Sequence, residues 1–323
     1  MMGKIAVLFG HFDQESPHTQ TIRKDYEKRG CRIVLCRTKK QGFLRKYLDL
    51  IRQYRHEHSA DTVVVMFLGY PFIPLAWLLT RFPRKRLIFD AFVSAYDTLV
   101  SDRKKVSPWN PYAWFLYLAD IMSCHMADEI IVDTEEHRKF FAKHCRLNPK
   151  RIRVVYLEPR TDLFFPKKSP KTGNDFTVFF YGTYIPLQGI DTIIRAAKIV
   201  EEHDPAVHFL LVGNGQTKDD IQALAHALDV ENVTFQNTLP LQELPDQIRS
   251  ADLCLGIFGT SAKAQRVIPH KVYDAVACGV PIITEKSPAI LERFADHPLV
   301  ILCKAGDPQD LAQKILTFKK QHS

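Results

Sequence analysis

The chain has 323 residues, of which 46% are apolar and 25% are charged. This composition is typical of a globular protein and excludes a disordered chain, a collagen-like fibre and a small disulfide-rich scaffold. At roughly 100–200 residues per domain, the length favours two domains over one. The net charge of +8 indicates an anionic partner, and nucleic acid, a phosphorylated small molecule and an anionic membrane all fit it.

The cysteines and the apolar runs indicate a cellular location. The seven cysteines are scattered without a Cys-x-x-Cys pair, so neither a disulfide framework nor a zinc site is indicated. The N-terminal run Ile5–Phe9 is too short for a signal peptide and predicts a first strand. The hydrophobic stretch Val63–Leu79 is interrupted by glycine and prolines, which argues against a membrane-spanning helix. We therefore expect a cytoplasmic protein without a transmembrane segment.

Short apolar runs alternate with helix-length segments through the first half of the chain, a pattern that predicts a parallel α/β sheet. The strands are predicted at Ile5–Phe9, Arg32–Cys36, Thr62–Phe67, Arg86–Phe89, Glu129–Val132 and Ile152–Leu157. The polar stretch from Glu158 to Asn174 is rich in Pro, Lys and Gly, and it is the predicted linker.

After this stretch the alternation starts again. Strands are predicted at Thr177–Tyr181, Val207–Val212, Val233–Gln236, Leu253–Ile257, Pro281–Thr284 and Leu299–Cys303, with helices at Ile190–Glu202, Lys218–Leu228, Leu241–Ser250, His270–Cys278 and Asp307–Lys320. The fold class is therefore α/β, with two Rossmann-like domains facing a cleft and ligands at the carboxyl ends of the strands. The predicted domains are residues 1–160 and 161–306, followed by a C-terminal helix, 307–323, that packs back across the cleft.

Two glycine turns follow predicted strands of the second domain. One loop carries Gly182, Thr183 and Gln188, and the other carries Gly213 and Asn214. A glycine-bearing turn between a strand and a helix exposes backbone N–H groups at a positive helix end, where a phosphate can bind. Each turn alone fits any α/β protein equally well, but their recurrence at equivalent strand ends favours a phosphate site.

The segment from Phe258 to Ile283 carries the strongest set of candidate ligand-binding groups. Its candidate residues are Lys263, Arg266, His270, Lys271, Val272 and Asp274. Cations and helix N–H groups suit a diphosphate, and a carboxylate one turn into the helix suits a ribose diol. The alternative is an exposed basic loop followed by a surface pair of Lys271 and Asp274, three residues apart on one helical face.

These segments, with the run from Asp274 through Ala275, Cys278, Gly279 and Pro281, resemble the donor domain of retaining glycosyltransferases with the GT-B fold, family four (glycosyl transferases group 1). The resemblance covers most of residues 150–320. The first half resembles the acceptor domain of that family more loosely, through Asp128–Glu135 and Arg153–Pro166. The resemblance implies that a sugar is transferred, with retention of anomeric configuration, from a UDP- or GDP-linked donor to a glycan or lipid-linked acceptor.

The sequence departs from the family pattern at its charged positions. The family's two glutamates fall on Arg266 and Asp274, and its phosphate-binding arginine and lysine fall on Thr183 and Gln188. We predict that Lys263, Arg266 and Lys271 neutralise the diphosphate instead, with Lys263 and Arg266 acting at the catalytic centre. The alternative is that donor binding is weakened or lost.

In the first domain, the family's usual histidine is replaced by Asp90 and Asp97 as the nearest candidates. A carboxylate there could orient or deprotonate an acceptor hydroxyl. The alternative is that Asp90 caps the segment that follows it. Gly10 and His11 follow the first strand, where the resemblance predicts a loop that faces the donor phosphates, although His11 fits a surface position equally well.

Neither a metal site nor a cofactor other than the donor is predicted. The chain has no Asp-x-Asp triplet, no Gly-x-x-x-x-Gly-Lys-Ser/Thr loop and no Gly-x-Gly-x-x-Gly after its first strand. Charge stabilisation by helix ends and basic side chains is therefore expected. The alternatives are a nucleotide-sugar epimerase of the same fold and an inactive scaffold that binds nucleotide or membrane. Nucleic acid is disfavoured, because the cations form no continuous arm.

The stretch from Arg37 to Arg55 interleaves basic and aromatic residues at helical spacing. Interfacial helices have this pattern, so the stretch predicts contact with an anionic membrane surface. An ordinary amphipathic helix with a solvated basic side is the alternative.

Overall fold

The computed structural model describes residues 4–57, 59–167 and 176–322. The chain divides after Glu158 into two compact units. Each unit contains a six-stranded parallel sheet with helices between successive strands. The predicted α/β class with two Rossmann-like units is therefore confirmed. Residues 168–174 of the predicted linker lie outside the described residues.

The first unit is built on strands with long apolar runs, as strands buried on both sides require. The strands are β1 (Ile5–Gly10), β2 (Arg32–Arg37), β3 (Thr62–Val65), β4 (Arg86–Asp90), β5 (Glu129–Val132) and β6 (Ile152–Val154). Their order across the sheet is β2-β1-β3-β4-β5-β6. The last strand ends three residues before the predicted Leu157.

Five helices cover the two sides of this sheet: α1 (Pro17–Lys28), α2 (Phe43–Tyr54), α3 (Ile73–Leu79), α4 (Pro111–Met126) and α5 (Glu135–His144). Helix α1 packs on one side, where Ile22 and Tyr26 join Ala6 and Leu8 in a buried cluster. The other four helices share one larger core on the opposite side of the sheet. Alternate residues of each strand supply the two cores, as the two-residue period of a strand requires.

The second unit repeats this plan with strands β7 (Phe176–Tyr181), β8 (Val207–Val212), β9 (Val233–Gln236), β10 (Leu253–Leu255), β11 (Ile282–Glu285) and β12 (Val300–Cys303). The strand order is β12-β11-β10-β7-β8-β9. The helices are α6 (Ile190–His203), α7 (Lys218–Ala227), α8 (Leu244–Ser250), α9 (His270–Cys278), α10 (Pro288–Phe294) and α11 (Pro308–His322). Helix α8 starts three residues after the predicted Leu241, with Pro245 in its first turn, where a proline fits best.

The C-terminal helix α11 packs within the second unit. Leu311, Ala312, Ile315 and Phe318 lie in the core that this helix shares with α6, and Lys319 binds Asp204 at 2.6 Å. Burial in this core removes the apolar side of the helix from water. That the helix predicted over 307–323 packs back across the cleft stays a prediction. No helix among the described residues combines the length and the hydropathy needed to cross a bilayer.

Candidate active site

Two glycine turns meet at the carboxyl end of the second sheet. The N–H of Gly182 donates to the carbonyl of Val212, and the N–H of Tyr184 donates to the carbonyl of Asn214, each at 3.0 Å. Gly213 has a φ of +150°, and a Cβ atom on it would lie 2.0 Å from the carbonyl oxygen of Gly182. Only glycine allows this backbone approach. The two predicted phosphate turns are therefore adjacent.

The loop after β10 contacts the first of these loops at Gly189. This glycine precedes helix α6 and has the left-handed conformation, with a φ of +62°. A Cβ atom on Gly189 would lie 2.4 Å from the backbone of Phe258. The N–H of Phe258 also donates to the carbonyl of Gln188 at 3.0 Å. The loops after β7, β8 and β10 are thus fixed to each other by backbone contacts, and we call them the interlocked loops.

A cavity of about 230 Å³ opens beside the first two interlocked loops. It is lined by Tyr181, Gly182, Thr183, Val212, Gly213, Asn214, Thr238, Leu239, Leu241 and Leu244. Four of the predicted donor-binding residues are in this lining: Gly182, Thr183, Gly213 and Asn214. The residues from Thr238 to Leu244 were not predicted, although their position after strand β9 at the same sheet edge is a usable signal.

Lys271 is buried in helix α9, and its ammonium lies beside the first interlocked loop. Nζ donates to Oε1 of Gln188 at 2.6 Å and lies 3.8 Å above the ring of Phe180. A Cβ atom on Gly182 would be only 3.0 Å from this nitrogen. Burial lowers the pKa of Lys271 well below its usual range, so a nearby anion would restore its charge. Two predicted donor-binding residues, Gln188 and Lys271, are therefore in direct contact.

Asp274 follows Lys271 by three residues but has a different partner. Its Oδ2 accepts a hydrogen bond of 2.7 Å from the hydroxyl of Tyr181, which lines the cavity. Burial raises the pKa of Asp274 to about 7, despite this hydrogen bond. Oδ1 of Asp274 has no hydrogen-bond partner among the described residues. The alternative of a surface pair of Lys271 and Asp274 is wrong, because both side chains are buried and bind separate partners.

The other predicted residues of this segment are less accessible than the sequence indicates. Lys263 is buried beside a short 3₁₀ turn, Ala264–Arg266, and Arg266 is half-buried, so the alternative of an exposed basic loop is wrong. The side chain of Val272 is fully buried and its N–H donates to the carbonyl of Pro269, so neither is available to a donor. His270 is half-buried at the first position of helix α9.

Glu285 is a buried acid that the sequence analysis missed. It ends strand β11, is fully buried, and neither carboxyl oxygen has a hydrogen-bond partner among the described residues. Burial raises the pKa of Glu285 to about 8, so the side chain is largely protonated at neutral pH. An acid at the end of an otherwise apolar strand was the available signal.

In the first unit, Asp90 ends strand β4 and binds a histidine from a distant part of the chain. Its Oδ2 accepts a hydrogen bond of 2.7 Å from Nε2 of His18 and one of 3.1 Å from the N–H of Phe67. Burial lowers the pKa of His18, but the charge of Asp90 and its hydrogen bond outweigh burial and raise it overall. These hydrogen bonds go to earlier segments, so the alternative that Asp90 caps the segment after it is wrong.

The remaining predicted residues of the first unit do not contact the pair of Asp90 and His18 through any hydrogen bond described here. Asp97 is buried at the start of a π-helical turn, Asp97–Asp102, and its N–H donates to the hydroxyl of Ser94. Gly10 ends strand β1 with a φ of +134°. His11 is exposed and its Nδ1 donates to the carbonyl of Thr38 at 2.7 Å. Across the described part of the chain, no three His, Cys, Asp or Glu side chains are grouped so that they could hold a metal ion.

Residues 162–322 match the sequence profile of the family described as glycosyl transferases group 1. The second unit belongs to this family. The D-inositol 3-phosphate glycosyltransferase of Thermomonospora curvata is a curated relative of this chain. The two are 24% identical over 223 residues. The alignment covers 60% of this chain and 49% of the relative, so the chain spans about half the length of the curated relatives it matches.

Solved structures share the fold of the glycosyltransferase unit and of the first unit. Anabaena Alr3699/HepE, crystallised with UDP and glucose, has a TM-score of 0.69 and 16% identity over 99% of this chain and 90% of its own. Sucrose-phosphate synthase from Thermosynechococcus elongatus has a TM-score of 0.70 and 13% identity over 98% and 90% of the two chains. At these identities the likeness establishes the GT-B fold.

Proposed function

We propose that this protein is a retaining, metal-independent glycosyltransferase of family four that moves a sugar from a UDP- or GDP-linked donor to a hydroxyl of a glycan or lipid-linked acceptor. The observation that carries the proposal is the contact of Lys271 with Gln188. Gln188 stands where the resemblance expects a phosphate-binding lysine, and the ammonium of Lys271 lies 2.6 Å from its side chain. A cation from helix α9 thus replaces the one that the loop lacks.

The donor is assigned to the second unit. The diphosphate binds the interlocked loops at the N–H of Thr183, because the N–H groups of Gly182 and Tyr184 on either side of it already donate to backbone carbonyls. Lys271 neutralises its charge together with Lys263 and Arg266. Asp274 holds the ribose at the wall that Tyr181 contributes to the cavity. Because the ammonium and the backbone N–H groups supply the positive charge, the leaving group needs no metal ion.

The acceptor is assigned to the first unit, where Asp90 orients the acceptor hydroxyl through His18. Nε2 of His18 is held by Asp90, and Nδ1 is buried with no hydrogen-bond partner among the described residues. A hydroxyl that reaches Nδ1 would supply the hydrogen bond that this nitrogen lacks. The bond between the sugar C1 and the phosphate oxygen breaks, and C1 bonds to the acceptor oxygen on the same face. The hydroxyl proton passes to the departing phosphate oxygen, so charge and atoms balance.

A donor screen tests the proposal. The full chain is incubated with UDP- and GDP-sugars, with and without a chelator, and release of the nucleoside diphosphate is measured with water or an added glycan as acceptor. We expect the nucleoside diphosphate to be released in the presence of the chelator. We also expect NMR to show that the sugar in the product keeps its anomeric configuration. Isomerisation of the sugar would instead establish an epimerase, and tight donor binding without turnover would establish a scaffold.

A further inference from the structure

The solvent side of helix α4 is strongly apolar. One side of this helix is buried through Ala113, Leu116, Asp120, Ser123 and Cys124. The other side exposes large aromatic and aliphatic side chains: Tyr112, Trp114, Phe115, Leu118 and Met122. No charged residue occurs from 106 to 119, and the acid at position 120 is buried. Surface helices normally carry charged side chains on the solvent side, so this side indicates a partner.

Neighbouring helices extend this apolar surface. Helix α2 exposes Phe43, Leu44 and Leu48, and the end of helix α3 and its following turn expose Leu78 and Phe82. The inner sides of α2, α3 and α4 lie in the same buried core on one side of the first sheet. The three helices therefore form one layer on the sheet. Their exposed apolar side chains lie on the side of this layer that faces away from the sheet.

The charges on this layer are predominantly positive. Residues 70–89 and 103–119 contain no Asp or Glu, and Asp49 is the one acid in residues 37–55. Asp49 is half-buried and accepts a hydrogen bond from Gln53. Exposed cations flank the apolar side chains on helix α2 and on the loop before α4: Arg45, Arg52, Lys104 and Lys105. An acidic protein surface would match the cations alone, whereas an anionic bilayer matches both the cations and the large apolar and aromatic side chains that they surround.

We propose that the outer side of helices α2, α3 and α4, which we call the docking face, binds the surface of an anionic lipid bilayer. The apolar side chains of α4 enter the boundary between headgroups and acyl chains, where tryptophan and tyrosine are favoured. The flanking lysines and arginines bind the lipid headgroups. This surface extends the contact predicted for Arg37–Arg55 and makes α4 its main apolar part. The inference stands apart from the reaction, because it uses no residue of the donor site.

The protein carries its own probe for this contact. All three tryptophans, Trp77, Trp109 and Trp114, lie in or next to helices α3 and α4, and Trp109 and Trp114 are 91% and 63% exposed. The full chain is mixed with vesicles of phosphatidylcholine alone, or with phosphatidylglycerol added at about a 7:3 ratio. We expect co-sedimentation with the anionic vesicles, a blue shift of the tryptophan emission, and quenching by brominated acyl chains.

Substitutions on separate parts of the docking face identify the contact. Trp114→Ser with Phe115→Ser is expected to weaken the partition coefficient at least about tenfold, because two large apolar side chains no longer leave water. Lys104→Glu with Lys105→Glu is expected to weaken it by a similar factor, and only for anionic vesicles. Leu291→Ser, an exposed apolar position in the second unit, is the matched control and should change nothing.

Three outcomes would overturn the inference. The first is a chain that binds neither vesicle. The second is binding that depends on Phe43 and Leu44 but not on Trp114 and Phe115, which would restrict the contact to α2. The third is a dimer in solution that the α4 substitutions abolish while vesicles are ignored, which would make the face a protein interface. Donor binding, measured on the same variants, should be unchanged and so separates this inference from the proposed function.

Discussion

Two buried carboxyl groups occupy matching regions of the two units, and they differ in their partners. Asp90 lies at the carboxyl edge of the first sheet and binds His18, whereas Asp274 lies near that edge of the second sheet and binds Tyr181. The hydrogen-bond lengths are both 2.7 Å. Burial lowers the pKa of His18, but the charge and the hydrogen bond of Asp90 raise it overall. Burial raises the pKa of Asp274 to about 7, although the hydrogen bond from Tyr181 lowers it.

The difference separates two kinds of chemistry in two units of the same architecture. The Asp90–His18 pair keeps a polarised ring next to a carboxylate, which suits the orientation of a hydroxyl. The region of Asp274 and Lys271 contains groups that burial drives towards neutrality, which suits a site that gains its charge when an anionic ligand arrives. Four sets of substitutions test the roles of these buried groups.

The largest expected effect is a loss of kcat from substitutions in the first unit. His18→Ala should lower kcat about 100-fold with the donor KM unchanged, because the acceptor hydroxyl loses its orientation. Asp90→Asn should lower kcat less and should also shift the pH profile, because the pKa of His18 falls when the charge of Asp90 is removed. Initial rates across pH measure both. Glu27→Gln on the same helix is the control, and a pH profile unmoved by Asp90→Asn would contradict the prediction.

Next in size is the effect of moving the cation of the donor site. Lys271→Gln should weaken donor binding about 10- to 100-fold, because a charged hydrogen bond contributes about 1.5–3 kcal/mol. Gln188→Lys alone should also weaken it, because two ammonium groups would then be in contact. The double variant restores one cation and one amide, and calorimetry should find donor affinity recovered. Lys320→Met, at an exposed position, is the control, and a double variant no better than the single ones would contradict the cation exchange.

A smaller effect is expected from the hydroxyl that binds Asp274. Tyr181→Phe leaves Oδ2 of Asp274 unpaired and should destabilise the second unit by about 1–3 kcal/mol. It should also raise the pKa of Asp274 further. Asp274→Asn and the double variant complete a cycle of thermal unfolding measurements. Additive losses would show that the hydrogen bond does not couple the two side chains.

The smallest effect concerns Glu285 and depends on pH. Its pKa is about 8 in the folded chain against 4.5 for the free group, so the folded state binds more protons between these values. The free energy of unfolding therefore falls as pH rises from about 5 to 8. Glu285→Gln should remove part of this slope and raise Tm by about 2–4 °C at pH 8, with no gain at pH 5. An equal gain at both pH values would contradict the assignment.

The sheets were predictable because their signal is local. A strand buried on both sides is a continuous apolar run, so β5 and β8 start and end as predicted. Strand β9 also starts and ends as predicted, although its alternate residues are exposed. Strand ends were less well predicted: Val155 and Leu157 continue the apolar run after β6 has ended. The pattern records hydrophobicity, and the end of a strand depends on which backbone groups find a partner in the sheet.

The site contacts were not predictable, because they join residues that are distant in sequence. His18 and Asp90 are 72 positions apart, and Gln188 and Lys271 are 83 apart. The sequence pointed to Asp90, Gln188 and Lys271 separately, but spacing could not show which side chains would touch. The sequence of α4 contains a run without charged residues, which a helix buried in a core would also have. Only the exposure of its large apolar side chains in the structure distinguishes α4 from such a core helix.

The interlocked loops restrict how this protein can be altered. Backbone meets backbone at Gly213 and at Gly189, so an insertion or a larger residue in one loop displaces the others. Variation of donor preference, whether by evolution or by a designed library, must then come from side chains on a fixed frame. The positions free to vary on the cavity wall are Thr183, Asn214, Thr238, Leu239, Leu241 and Leu244. A library confined to these positions preserves the frame while it changes the shape and polarity of the cavity.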